Sequence, residues 1–191
     1  MVLHRTFRQN PNIDHCMESN QQVAELAAKE GIAKRLRSLS FSGNGKVVAL
    51  LEKPAPGIHA ARVSVEVKAG QGFTGDHNKK DFWRGERIPG REVTMIAKEV
   101  LEELGVDYLA IGDNVVCAGI DLASLESGQE IAIGTVRLKR AEKAHRPCHL
   151  FAQRTSQAAM EAVRESGTRG ALFHVLTDGH ISLQDVIELK K

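Results

Sequence analysis

A chain of 191 residues, 42% apolar and 26% charged, is long enough to bury a core without disulfide or metal staples. Its net charge of +2 is too small to point to nucleic acid, and the length fits one domain with an appendage. Three widely spaced cysteines, Cys16, Cys117 and Cys148, exclude a disulfide framework and suit a reducing compartment.

Residues 1–20 are polar, lack the apolar stretch of a secretory signal, and are expected to be loosely ordered. No run of the chain is long and apolar enough to span a bilayer. A soluble cytoplasmic protein, with no membrane or nucleic-acid partner, is expected. From Asn20 to Leu39, Val23, Leu26, Ala27, Ala33, Leu36 and Leu39 recur at helical spacing. Gly31 interrupts them, so the pattern reads as one helix broken there or as two short ones. Ser42-Gly43-Asn44-Gly45 is a turn.

Residues 46–51 then form a strand candidate, ended by Pro54 and Pro56. Residues 62–68 alternate strictly between polar and apolar and are the clearest strand of the chain. A long glycine-rich and charged loop follows over residues 70–90. Residues 91–104 fit either a helix stopped at Gly105 or a buried strand leading into a shorter helix. Further strands are expected at 114–117, 130–133 and 135–141, with a turn at Gly134. A helix over 157–165 closes at Gly167. The C-terminus reads as a hairpin, with residues 171–176 and 181–189 flanking Asp178-Gly179. About eight short strands and three or four helices, without regular alternation, exclude a doubly wound α/β sheet. They point to a mainly β fold, a mixed β-barrel with peripheral helices.

Three segments could carry chemistry. The first is His145-Arg146-Pro147-Cys148-His149-Leu150. Proline fixes the backbone before the cysteine, and nearby cations favour a thiolate, the nucleophilic and metal-binding form. The bland alternative is a buried cysteine acting as a small hydrophobe. His145, Cys148 and His149 have the spacing of metal ligands, but a structural zinc needs a fourth ligand and no second C-x-x-C exists. The second is the loop Gly70–Asn78. Its glycines permit close backbone approach to a ligand, and Asp76 with His77 could form a hydrogen-bonding or acid/base pair. An ordinary turn is the alternative, and neither a P-loop nor a GxGxxG helix start is present. The third is Ile111–Leu122, a Gly-Asp-Asn turn entering a strand, where Asn114 could present its amide to a ligand. No G-x-S-x-G elbow or H-E-x-x-H pair suggests a hydrolase. Two basic groups stand out: Lys79, Lys80, Arg84, Arg87 and Arg91, then Lys139, Arg140, Lys143 and Arg146. Each is either a solvated face or a patch for a small anion.

In order, these segments resemble the MOSC family, named for the molybdenum cofactor sulfurase C-terminal domain. The resemblance lies in Gly72-x-x-Gly75-Asp76; Arg91-x-Val93-x-Met95-Ile96 followed by Glu99-x-Leu101-x-x-Leu104; Gly112-Asp113-Asn114; Gly119-Ile120-Asp121-Leu122-x-x-Leu125-x-x-Gly128; Ile133-Gly134; Pro147-Cys148; and the segment from Gly170 to Glu188. It covers about residues 46–190 and favours strand then helix at 91–104. Three features depart from the family. A histidine is usual two residues after the loop aspartate, where Asn78 stands, with His77 one place earlier. Asp113 replaces a usual glutamate. The region before Lys46 has no counterpart.

The resemblance implies a barrel related to that of pyruvate kinase at residues 46–191, preceded by a polar and helical extension at 1–45. It implies binding of the molybdenum cofactor, with Cys148 as the molybdenum ligand. Arg91 and Arg146 would bind the pterin phosphate, and Gly75, Asp76, His77, Asn78 and Asn114 would line the cofactor site. Two activities follow. One is an oxidoreductase acting on small N-hydroxylated or similar substrates, which needs a separate electron-donor protein. The other is a sulfur carrier with a persulfide on Cys148, fed by a sulfur-donor protein. Pyridoxal phosphate is associated with the family only through the desulfurase domain of the full sulfurase, for which this chain is too short. A fold without activity is the third reading.

Overall fold

The structure, a computed structural model, describes residues 11–190, with side chains described from residue 22 onward except Trp83. A single helix, α1 (Pro11–Arg37), opens it. Residues 11–20 are therefore helical rather than loose, residues 1–10 lie outside the described residues, and the side chain of Cys16 does too. Gly31 does not break the helix. A glycine costs only about 1 kcal/mol in a helix interior, and tertiary packing outweighs that. Among the described side chains of α1, burial is confined to the last turns, at Ala33 and Leu36, while Val23 and Leu26 further up the apolar stripe stay exposed.

Strand β1 (Gly45–Ala55) runs through Pro54 instead of ending there. It turns at Pro56-Gly57 into β2 (Ile58–Arg62), and the ladder between them slips between Glu52 and Ala55. Proline is tolerated where such an irregularity already interrupts the hydrogen bonding. The expected strand at 62–68 is in fact β3 (Ser64–Lys68), with Val65 and Val67 inward as the alternation requires. The stretch 70–90 is not all loop. It contains β4 (Gly72–Phe73) paired with β3, and a short hairpin of β5 (Phe82–Trp83) and β6 (Glu86–Arg87).

Strand-then-helix is the outcome at 91–104. β7 (Val93–Ala97) is buried along its whole length and α2 (Lys98–Glu103) follows. A four-residue helix, α3 (Tyr108–Ile111), leads to β8 (Val115–Ala118). β9 (Glu130–Ile133) and β10 (Val136–Arg140) pair across Gly134. Two helices follow: α4 (His149–Arg154), and α5 (Gln157–Ser166), which ends at Gly167 as the sequence predicts. β11 (Ala171–Val175), β12 (Gly179–Ser182) and β13 (Val186–Leu189) complete the chain.

The expected C-terminal hairpin does not form. β11 pairs with β10 and β7, β12 pairs with β3 in a separate sheet, and β13 pairs with β9 and β1. Asp178, the first turn residue, instead accepts a hydrogen bond from the amide of Ala69 at 2.8 Å. The long-range pairings win because they close a barrel in the order β13-β9-β10-β11-β7-β8-β1, with β1 returning to β13. Closure leaves no open edge among those seven strands. All its pairs are antiparallel except β7 with β8.

The barrel interior is filled by Val47, Val67, Phe73, Met95, Cys117, Ile133, Leu138 and Phe173, among others. A second apolar layer outside the wall packs Leu51, Ile96 and Val116 against Leu36 of α1, Leu101 of α2, Phe151 of α4 and Val163 of α5. Met95 and Ile96 of β7 serve the inner and outer layers in turn, which explains why the strand is buried on both faces. Among the described residues, no helix is long and apolar enough to cross a membrane.

Candidate functional site

Polar groups are buried where β1, the loop after β4 and the start of β8 meet. Asn114, just before β8, is fully buried. Its Oδ1 accepts from Lys53 Nζ at 2.9 Å and from the Thr94 amide at 3.2 Å. Its Nδ2 donates to Asp76 Oδ2 at 2.8 Å and to the Leu51 carbonyl at 3.3 Å. Asp76 also accepts from the Lys53 amide at 2.6 Å and pairs with Lys80 at 2.9 Å, both side chains of that pair being almost wholly buried. Lys80 donates in turn to the Glu92 carbonyl at 2.6 Å. Asn114 is therefore an internal tie between the barrel wall and the glycine loop. Burial lowers the Lys53 ammonium to about 8, and Asp76 offsets part of that effect.

Asp113 faces a different set of partners. Its Oδ2 accepts from Arg169 at 2.7 Å, and His145 Nδ1 stands 3.8 Å from its Oδ1. Burial would raise the Asp113 carboxyl, but the charge of Arg169 and its other neighbours holds it below the ordinary range. For His145, burial and then the charge of Arg169 press the imidazole well below its ordinary value, so it is neutral at pH 7.

Cys148 is a free, exposed thiol three residues on. It occupies the N-cap of α4, where its carbonyl accepts the amides of Phe151 and Ala152 and its side chain makes no capping hydrogen bond. The buried-hydrophobe alternative therefore applies to Cys117, inside the barrel, where burial pushes the thiol up, and not to Cys148. The three residues with zinc-like spacing diverge: His145 turns inward to Asp113, while Cys148 and His149 are exposed. Among the described residues, no three His, Cys, Asp or Glu side chains converge as metal ligands.

The other expected residues fall into two groups. Arg91 is partly buried, and its charge reaches both Lys53 and His145. Arg146 is exposed beside Cys148 in the chain. Asp76 and His77 do not pair: Asp76 turns inward, while His77 Nδ1 accepts the Lys79 amide at 3.2 Å. Gly75 lies close to β1, where a Cβ would stand 2.2 Å from the Glu52 carboxylate and displace that side chain. Asp76, His77 and the exposed Asn78 border a cavity of about 300 Å³ with Phe73, Lys80 and Phe82. Cys148 does not line that cavity. Sequence reading overlooked Lys53, Thr94 and Arg169. Lys53 lies in a strand-like stretch and Arg169 in a Gly-x-x-Gly turn, so neither position carries a local signal.

The sequence profile described as MOSC domain matches residues 88–188. Among solved structures, the fold is similar to the YuaD protein from Bacillus subtilis. That match has a TM-score of 0.62 and 19% identity, and covers 76% of this chain and 95% of that one. YiiM from Geobacillus stearothermophilus gives a TM-score of 0.55 at 18% identity, over 77% and 75% of the two chains. YiiM from Escherichia coli gives 0.55 at 16% identity, over 76% and 70%. No curated protein matches the chain by sequence.

Proposed function

The chain belongs to the MOSC domain family, and from that premise we propose that it holds the molybdenum cofactor through Cys148 and reduces small N-hydroxylated or related compounds. The observation that carries this reading is an exposed thiol without a hydrogen-bonding duty of its own, in a segment tied to a buried, cation-rich network. A thiolate is a soft donor suited to such a metal. On this reading Cys148 is the protein's side-chain ligand, and the remaining donors come from the pterin.

When bound, the cofactor supplies the two-electron chemistry of the N–O bond, and a separate protein supplies the electrons. The chain's own residues bind and orient. Arg91 and Arg146 meet the cofactor phosphate, a task that suits guanidinium groups. Asn114 and Asp76, locked to Lys53 and Lys80, hold the glycine loop at a fixed distance from the wall, Gly75 lies in that loop against Glu52, and His77 and Asn78 border the adjoining cavity.

The exposure of Cys148 also supports a second reading, a sulfur carrier. Its thiolate attacks the outer sulfur of a donor protein's persulfide. The persulfide then sits on Cys148 and the donor leaves as a thiolate. Elemental analysis of protein made in a host that synthesises the cofactor separates the two. Stoichiometric molybdenum lost in Cys148→Ser supports the reductase. Metal-free protein with cyanide-labile sulfur on Cys148 supports the carrier. A Cys148→Ser protein that retains both metal and activity overturns both.

A further inference from the structure

We propose that Arg169 is the positioning residue of the Cys148 site, clamping the cysteine segment from both sides. The inference rests on the reading of Cys148 as the working thiol. Arg169 Nη1 donates to Asp113 at 2.7 Å, and Asp113 faces His145, three residues before Cys148. The same guanidinium lies over the ring of Phe151, 5.0 Å from its centroid, three residues after Cys148. One side chain thus touches the downstream flank directly, and on the upstream flank its carboxylate partner Asp113 packs 3.8 Å from His145 without a hydrogen bond. A third tie, from Arg154 Nη1 to the Ile111 carbonyl at 2.8 Å, fastens the far end of α4 to the same turn.

The backbone that delivers Arg169 is itself fixed. Gly170 follows it with φ +92, pressed against β7 so closely that a Cβ would lie 2.0 Å from the Met95 carbonyl. The arrangement is also costly. Arg169 and His145 are about nine-tenths buried, and Arg169 Nε and His145 Nδ1 have no hydrogen-bond partner among the described residues. Buried ion pairs are weak contributors to stability, and buried nitrogens without partners detract from it. A planar guanidinium can hydrogen-bond a carboxylate and stack on a ring at once, which an ammonium does less well. Position, rather than stability, is what this cluster supplies.

Amide hydrogen exchange on the cofactor-free chain tests the clamp, because the Phe151 and Ala152 amides bond to the Cys148 carbonyl. In Arg169→Met their exchange is expected to accelerate at least tenfold more than that of the β9–β10 ladder, whose amides rise only with the global stability lost from the buried pair. Phe151→Leu, which leaves the ion pair in place, should accelerate Ala152 several-fold. The double variant should accelerate less than the product of the two single effects, because both changes release the same guanidinium–ring contact, while Phe151→Leu adds a loss of packing in the outer apolar layer. Arg169→Lys should restore most of the ladder's stability but only part of the local protection. Unchanged exchange at Ala152 in every variant, or a rise of equal size throughout the barrel, overturns the proposal. Since the measurement needs neither metal nor sulfur, a Cys148→Ser result that removes the functional reading leaves the clamp separately decided.

Discussion

Lys53 Nζ donates to the amide oxygen of Asn114 at 2.9 Å, at the point where the barrel wall meets the glycine loop. The same amide serves Asp76, Thr94 and Leu51, so its loss strands several buried groups at once. Asn114→Leu is expected to cost about 3 kcal/mol or more in urea denaturation, the scale for leaving a buried charge and its neighbours unpaired. Asn114→Asp should not rescue it, because a carboxylate oxygen would then face Asp76 Oδ2, where the amide nitrogen now donates.

Lys53 makes stability depend on pH in the alkaline range. Its folded value of about 8 lies below the ordinary 10.5, so between those values the unfolded chain binds more protons than the folded one. Stability contributed by this group therefore rises from pH 8 to about 10.5 and is lost as pH falls back through 8. The comparison that isolates it is the denaturation midpoint of the native chain against Lys53→Met over that range. The rise should be present in the first and absent in the second.

Two lysine pairs should behave differently. Lys80 and Asp76 are almost wholly shielded from solvent, whereas Lys68 meets Glu66 and Asp178 on the surface. Lys80→Met is expected to destabilise by about 3 kcal/mol, and adding Asp76→Asn should recover part of that. Lys68→Met should leave the midpoint within error, since exposed pairs are screened. Equal effects in the two variants would contradict the burial on which the contrast depends.

The last turns of α1 are part of the core. Leu36 is 2% exposed in the outer apolar layer, whereas Leu26 is 51% exposed. Leu36→Ala should cost about 2 to 4 kcal/mol by leaving a cavity, and Leu26→Ala almost nothing. Thermal melts of the two variants check this directly.

What was legible in the sequence was local. Alternation marks β3, a helical stretch closed by Gly167 marks α5, and Gly134 marks the turn between β9 and β10. These signals depend on residues a few places apart, the range over which backbone sterics act. The Asp178-Gly179 turn shows where that range ends. Its residues suit a hairpin, but of its flanking strands β11 joins the closed barrel between β10 and β7, while β12 pairs with β3 in a separate sheet.

The same division holds at the candidate site. By itself, the sequence determined that Cys148 stands in a special local setting, that Gly75-Asp76 lies in a glycine-rich loop, and that the chain resembles the MOSC family. Only the tertiary structure decided which groups surround them. It divided Asp113 from Asn114, sending one toward the cysteine segment and the other toward the glycine loop, and it brought in Lys53, Thr94 and Arg169. Those residues are distant in sequence and carry no motif. Their roles arise from burial: a charge removed from water must find its partner across the fold, and spacing along the chain does not encode that partner.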